Sequence, residues 1–392
     1  MIIQPRVRGF VCLTAHPAGC EEHVKEQINY VKSGGEIENG PKNVLVIGAS
    51  TGYGLSSRIT AAFGSGASTI GVFFEKEPAE KKTATAGWYN TAAFEKFAAQ
   101  AGLKSKSING DAFSDDIKQQ VIDSAGKDFG PFDLVIYSVA APRRLHPKTG
   151  EVASSVLKPI GKSYEGKTLN TDKIEIQDIH IEAATEKEIK DTISVMGGED
   201  WEMWLNKLNS AGLLAKRCKT ITYTYIGTNL TWPIYWEGTI GQAKIDLDKT
   251  STRLNKLLQP LSGKSYVAVM KGLVTQASSA IPVVPLYISI LYKIMKEKGT
   301  HEGCIEQINR LFRKKLYTTH IETDDEGRLR LDDWELSEDI QNRINEIWPV
   351  IKTENIHDLS DFSGYKKEFL KLFGFGFKNV NYNEDVNPVV MF

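Results

Sequence analysis

Asn43-Val44-Leu45-Val46-Ile47 is a nearly unbroken apolar run, without the alternation of a half-exposed strand. It predicts a parallel strand covered on both faces. A glycine-rich turn follows, then apolar positions Leu55, Ile59 and Phe63 at the four-residue spacing of one helix face. The run Thr69-Ile70-Gly71-Val72-Phe73-Phe74 predicts a second buried strand. A helix around 91–101 leads to a strand near 105–109. Another helix, from about 114 to 127, precedes the strand Asp133-Leu134-Val135-Ile136-Tyr137-Ser138.

From about 141 to 199 the rhythm fails, and the chain becomes polar and rich in Lys, Thr and Gly. This reads as an insertion at the carboxyl end of the fourth strand, where ligands bind in open α/β sheets. The alternation resumes with a helix around 200–214 and a strand at 220–225. A helix near 239–258 and a strand at 266–270 follow. The rest reads as helices at about 285–297 and 301–315, a charged hairpin-like segment around 323–327, and a polar tail that wraps the core. The expected fold is α/β: a Rossmann-type doubly wound parallel sheet with an inserted subdomain and helical C-terminal decoration. No linker interrupts it. The chain is therefore read as one domain, with a core of about 43–140 and 200–300, the insertion at 141–199 and the decoration at 301–392.

Composition narrows the partners. The 48 basic and 49 acidic side chains give a formal charge of -1, with no electrostatic case for nucleic acid or an anionic membrane. The longest apolar stretch, 281–292, is 12 residues, holds Pro282 and Pro285, and is too short to cross a bilayer. It reads as a buried or ligand-lining helix. The opening Met-Ile-Ile-Gln-Pro-Arg-Val-Arg lacks a secretory apolar core, and four scattered cysteines lack a CxxC, so a reducing cytoplasm is expected. His16, Cys20 and His23 make at most a partial metal set without a clear fourth ligand; capping, turn or surface roles suit them better, and no metal is expected.

Gly48-Ala49-Ser50-Thr51-Gly52-Tyr53-Gly54 has the spacing GxxxGxG between a buried strand and a helix. Glycines there permit a tight turn and close approach to a pyrophosphate, which the helix N-terminus then faces with unpaired N–H groups. Ser50 and Thr51 offer additional hydroxyls. The loop lacks Gly-Lys-Ser/Thr, which argues against a nucleotide-triphosphate loop. Glu75, 27 residues after Gly48, closes the second strand, where a carboxylate can grip a ribose and repel a 2′-phosphate. NADH over NADPH follows, with Lys76 as a partial offset. Asp111-Ala112 after the third strand, and Val139-Ala140 after the fourth, are expected along the same groove.

Tyr235 and Lys244 stand nine positions apart, the tyrosine in a loop and the lysine one or two turns into a helix. A phenol beside an ammonium suits a proton donor whose pKa the ammonium lowers. By pattern alone, a packing tyrosine with a solvated lysine is the better reading. Yet a longer series of blocks accompanies the pair: Ala-His-Pro-Ala-Gly-Cys at 15–20, Gly-Trp-Tyr-Asn at 87–90, and Gly-Asp-Ala-Phe-Ser at 110–114. Tyr-Ser-Val-Ala-Ala-Pro-Arg-Arg at 137–144, Val-Met-Gly-Gly-Glu-Asp-Trp at 195–201 and Val-Thr-Gln-Ala-Ser-Ser-Ala-Ile-Pro at 274–282 continue it.

Through these blocks nearly the whole chain resembles the type V bacterial enoyl-acyl-carrier-protein reductases, relatives of the trans-2-enoyl-CoA reductases. The resemblance implies a cytoplasmic, monomeric, NADH-dependent enzyme. It would reduce the trans-2 double bond of an acyl thioester, carried by acyl carrier protein or coenzyme A, in fatty-acid synthesis. It implies Tyr235 as proton donor, Lys244 as a cofactor contact and Tyr225 as a substrate contact near the thioester carbonyl. Gly48 through Tyr53, Phe74-Glu75, Asp111-Ala112, Val139-Ala140 and Leu273-Val274-Thr275 become cofactor contacts. Residues 285–292 are candidates for an acyl channel, and Arg143, Arg144 and Lys148 for a patch that meets an acidic carrier. An NADH-dependent short-chain carbonyl reductase would use the same tyrosine and lysine. A redox-sensing NADH-binding module would need neither.

Overall fold

A computed structural model describes residues 1–392. The chain opens with a small antiparallel hairpin, β1 (Val7–Arg8) and β2 (Val11–Cys12), then α1 (Pro17–Ser33). The alternation runs β3 (Asn43–Ile47), α2 (Gly52–Ser65), β4 (Ser68–Phe73), α3 (Ala86–Gln100), β5 (Ser105–Asn109), α4 (Asp115–Ser124) and β6 (Phe132–Tyr137). Two antiparallel hairpins follow, β7 (Arg143–Leu145) with β8 (Val152–Ser154) and β9 (Tyr164–Asn170) with β10 (Glu175–Ile181). Next come α5 (Glu186–Met196), α6 (Glu199–Ser210), β11 (Leu214–Thr224), α7 (Thr239–Leu258) and β12 (Lys264–Val269). The remainder is α8 (Gln276–Ser279), α9 (Val284–Lys298), α10 (Cys304–Arg310), β13 (Leu329–Arg330), α11 (Glu338–Val350), α12 (Ile356–Leu359) and α13 (Phe362–Lys371).

Seven strands form one sheet in the order β13-β12-β11-β6-β3-β4-β5, every pairing parallel. All carboxyl ends therefore share one edge. The order reverses between β3 and β6, which opens a crevice there for a ligand. All of β3 is buried, as its unalternating pattern requires. The expected doubly wound sheet is present, with hairpins in the insertion and helices in the C-terminal part.

Four segments depart from the sequence reading. Residues 17–33, where no apolar face stands out in the sequence, form α1; His16 caps it by accepting the Gly19 N–H at Nδ1, 3.2 Å away. β11 starts at Leu214 instead of 220, because a register shift between Leu214 and Lys219 interrupts the apolar pattern. The acidic segment 323–327 is not a hairpin. Asp324 accepts backbone N–H bonds from Glu326 and Arg328, and the turn delivers β13 parallel to β12. Nor is the tail simply polar: Ile340, Ile344, Phe362, Tyr365 and Phe369 enter the same core cluster as α9. No helix is long and apolar enough to cross a membrane.

Arg58 on α2 is buried under the sheet and ties three elements together. It donates to Thr69 on β4, to Ser107 and the Lys106 carbonyl on β5, and to Glu95 on α3 at 2.8 Å. Gly71 makes the space, since a Cβ there would lie 2.7 Å from the guanidinium. The guanidinium also sits 4.1 Å from the Phe94 ring centroid. Removing one member of a buried pair strands the other, at about 3–5 kcal/mol. Arg58→Ala should lower the urea midpoint by a corresponding amount, and a loss below about 1 kcal/mol would contradict this assignment.

Candidate active site

The turn from β3 into α2 is shaped by contacts that no side chain would permit. Gly48 has φ +89°, and a Cβ there would fall 2.0 Å from the Ser138 carbonyl oxygen after β6. At Gly54 it would fall 1.8 Å from the Gly48 carbonyl oxygen. The Gly48 and Ala49 amides bond the Val72 carbonyl, and the first amides of the 14-residue α2 have no intrahelical partner. A helix start of this kind is a ready anion site. Thr51 caps the helix geometrically but makes no side-chain cap bond, so its hydroxyl is available. Ser50 is committed elsewhere: its hydroxyl donates to Glu75 Oε1 at 2.7 Å.

Glu75 is half-buried just past β4, held by Ser50 and by its backbone pairing with the Asn109 side chain. Burial raises its pKa above the usual carboxylate range, while hydrogen bonds from Ser50 and Thr85 pull it back. Gly87 makes room for its carboxylate, since a Cβ there would lie 2.0 Å from Glu75 Oε1. Phe74 projects outward, 76% exposed. Asp111 shapes its own turn by accepting the Phe113 N–H, and Ala112 follows it, both half-buried beyond β5. These positions form one end of the crevice.

The other end is a cleft of about 530 Å³. Tyr53, Val139, Ala140, Tyr225, Tyr235, Lys244, Leu273 and Thr275 all line it. Val274 does not; it is buried, and its N–H donates to the Tyr292 hydroxyl. Tyr235 lies in the loop before α7, where Gly241 can approach because it lacks a Cβ that would meet the Trp236 oxygen at 1.7 Å. Tyr225 and Tyr235 meet edge to face, with ring centroids 5.2 Å apart. Lys244, in the second turn of α7, reaches toward the Tyr223 carbonyl at 3.5 Å.

The electrostatics differ from the expected depression of a phenol by an ammonium. Burial alone pushes the Tyr235 phenol up, so it remains protonated. Burial instead brings the Lys244 ammonium down to about 8, with Asp248 acting against the shift. The cleft thus holds a protonated donor and a lysine poised to titrate.

Two further expectations are corrected. Of the run 285–292, only Ile288 reaches the cleft, joined by Ile281 and Val284 just before it; the other side chains of the helix fill the core. Helical spacing turns one face to the cleft and the rest away. Arg144 is buried and bonds Glu199 and the Ser194 carbonyl, so it is unavailable to a carrier, whereas Arg143 and Lys148 are exposed.

Glu335 was not anticipated. It is fully buried behind Tyr225, whose hydroxyl donates to Oε1 at 3.0 Å, and also accepts from Tyr287 and the Gly272 N–H. In the sequence it stands in Asp-Asp-Trp-Glu, indistinguishable from a solvated acidic stretch.

Comparison with known proteins places these features in company. Residues 82–317 match the model described as the trans-2-enoyl-CoA reductase catalytic region, and 2–80 match its NAD(P)H binding domain. Residues 323–386 match a model described as an enoyl reductase FAD binding domain. An enoyl-[acyl-carrier-protein] reductase [NADH] of Aliivibrio salmonicida is 60% identical over 100% of this chain and 99% of its own length. Its namesake in Edwardsiella ictaluri is 58% identical over 100% and 99%. The crystal structure of Treponema denticola trans-2-enoyl-CoA reductase in complex with NAD superposes with a TM-score of 0.96, at 49% identity and full coverage of both chains. That of the Clostridium acetobutulicum enzyme in complex with NADH gives 0.96 at 44% identity, covering 99% of this chain and 98% of the other.

The cradle at Gly48 and Gly54 fits a dinucleotide. The dinucleotide cradle lies outside residues 323–386, whose Phe362, Tyr365 and Phe369 are spent in the core and which send Glu335 against Tyr225 in the cleft wall. Gly48→Ala would force the turn off the Ser138 carbonyl. Titration of intrinsic NADH fluorescence should show binding weakened at least about tenfold, the weight of one misplaced contact of about 1.4 kcal/mol. Unchanged affinity would remove the cradle from the site.

Proposed function

The chain belongs to the trans-2-enoyl-CoA reductase family, and we propose that it reduces the trans-2 double bond of an enoyl thioester with NADH. The observation that carries this reading is the pair of protonated phenols, half-buried Tyr225 and buried Tyr235, meeting on a largely apolar cleft beside the dinucleotide cradle. When bound, the dihydronicotinamide supplies a hydride to the substrate Cβ. Charge then develops on the thioester oxygen as an enolate, which an O–H donor must meet in a site that excludes water. Tyr225, near the thioester carbonyl, or Tyr235 provides that donor, and Tyr235 is the source or relay of the proton that reaches Cα. Lys244 anchors the nicotinamide ribose and keeps the tyrosine poised, while Ile281, Val284 and Ile288 receive the acyl chain. Gly48 to Tyr53, Phe74, Asp111, Ala112, Val139, Ala140, Leu273 and Thr275 hold the cofactor, with Glu75 on the adenosine ribose. The carboxylate there favours NADH over its 2′-phosphorylated counterpart.

The relatives' names point to both acyl carrier protein and coenzyme A as carriers of the thioester. Exposed Arg143 and Lys148 lie at the start of the insertion and could meet an acidic carrier. We read the enzyme as a cytoplasmic monomer acting in fatty-acid elongation. NADH oxidation should proceed with crotonyl-CoA, dodecenoyl-CoA and dodecenoyl carrier protein. Tyr235→Phe should reduce turnover by about 10²–10³ while NADH binding persists. Turnover above a tenth of wild type would refute the role of Tyr235.

Lys244 gives a pH test with a defined sign. Its ammonium is brought down to about 8, so the cation is present below that pH and lost as pH rises through it. The kcat/KM for NADH, which reports the free enzyme, should fall on the alkaline side of about 8. Lys244→Met should abolish that limb and leave a flat, low profile. Persistence of the limb in the variant would assign it to another group.

A further inference from the structure

Glu335 reaches the back of Tyr225, behind the cleft wall, from the link between β13 and α11, well separated in sequence from the Tyr235–Lys244 pair. Its oxygens are fully engaged. Oε1 accepts from Tyr225 at 3.0 Å and from Tyr287 at 2.7 Å, and Oε2 accepts the Gly272 N–H. Gln341 steadies the arrangement, donating to the Tyr287 hydroxyl at 3.2 Å and to the Glu335 carbonyl at 2.7 Å. A buried carboxyl held by three donors from three separate segments is far more than a helix tail needs for docking.

The consequence lies in the single hydrogen of a phenol. While Tyr225 donates it to Glu335, that hydroxyl has only lone pairs to offer its other neighbours, Thr231 among them, and they repel a developing enolate oxygen. If Glu335 carries a proton on Oε1, the bond reverses. The acid then donates to the Tyr225 oxygen, Tyr287 still donates to Oε1, and Oε2 still accepts from Gly272. The Tyr225 hydrogen is thereby free to point into the cleft. No bond to carbon and no electron is involved, only the direction of one hydrogen bond.

We propose that Glu335 is a positioning residue of the reaction, setting whether the hydroxyl hydrogen of Tyr225 points away from the thioester oxygen or toward it. This rests on the reading of Tyr225 as the residue that meets that oxygen. The groups facing Glu335 act in both directions. Lys271, buried after β12, favours the carboxylate, as do the Tyr225, Tyr287 and Gly272 hydrogen bonds; its Nζ is itself spent on the Gly272 and Glu302 carbonyls. Tyr53 on α2 faces the same carboxyl as a neutral phenol. Burial favours the acid and prevails, so Glu335 titrates above the usual carboxylate range. The donor form of Tyr225 is then present at lower pH and is lost as pH rises through that point.

The test is kcat against pH at saturating NADH and crotonyl-CoA, for wild type, Glu335→Gln, Tyr225→Phe and the double variant. The glutamine amide can donate to Tyr225 at every pH, so Glu335→Gln should keep at least a third of the low-pH kcat and lose the fall with rising pH. In Tyr225→Phe that fall should also vanish, and adding Glu335→Gln should change nothing further. The same limb in wild type and Glu335→Gln, or an undiminished effect of Glu335→Gln in the Tyr225→Phe background, overturns the proposal. NADH affinity, unchanged in Glu335→Gln, verifies the fold. If Tyr225→Phe leaves kcat at wild-type values throughout, it is the assignment of Tyr225 to the substrate that fails, a separate result.

Discussion

Between the ends of β3 and β6 two backbone segments pass so closely that position 48 has room only for hydrogen: a Cβ would lie 2.0 Å from the Ser138 oxygen. The same turn brings Gly54 against the Gly48 carbonyl, which aims the start of α2 across the crevice. Because all seven strands are parallel, each sends its carboxyl-end loop to this edge. Glu75, Asp111, Ala140, Tyr225 and Leu273 come together there although they are scattered through the chain. Loosening the Gly48 contact would let α2 move, and with it Tyr53, whose hydroxyl bonds the Lys271 carbonyl on the opposite wall.

The legible part of the fold is the part governed by burial on both faces. Strand Asn43–Ile47 and helix Thr239–Leu258 have the bounds that the apolar pattern predicts. β11 is longer than its pattern because Lys216 and Arg217 sit on an irregular stretch, where Arg217 adopts φ +60°. The helix α1 is hidden because its apolar residues are mixed with charge and its cap is a histidine, not the usual hydroxyl or carboxamide side chain. Aromatic positions in the tail are also misleading: Phe362, Tyr365 and Phe369 recur at helical spacing, but among enough charge to read as solvated surface.

At the site, glycine spacing and the Tyr235–Lys244 interval are visible because local geometry demands them. Glu335 is not, since what distinguishes it is tertiary: three donors from other elements converge on one carboxyl. The lowered phenol expected at Tyr235 is absent for a related reason. Spacing conveys proximity, whereas burial decides the sign of the shift, and here it raises the phenol and lowers the lysine. A protonated phenol is what an enolate requires. The C-terminal segment, matched to a description of flavin binding, thus acts on the reaction through a carboxyl buried behind a tyrosine.

The central claim concerns where the hydride lands. NADH deuterated on the transferring face of C4, supplied with crotonyl-CoA in ordinary water, should give butyryl-CoA carrying one deuterium at Cβ and none at Cα, as read by NMR of the product. Deuterium on the former carbonyl carbon would identify a carbonyl reductase. No deuterated product at all would leave only a dinucleotide-binding module, and either result would contradict enoyl reduction.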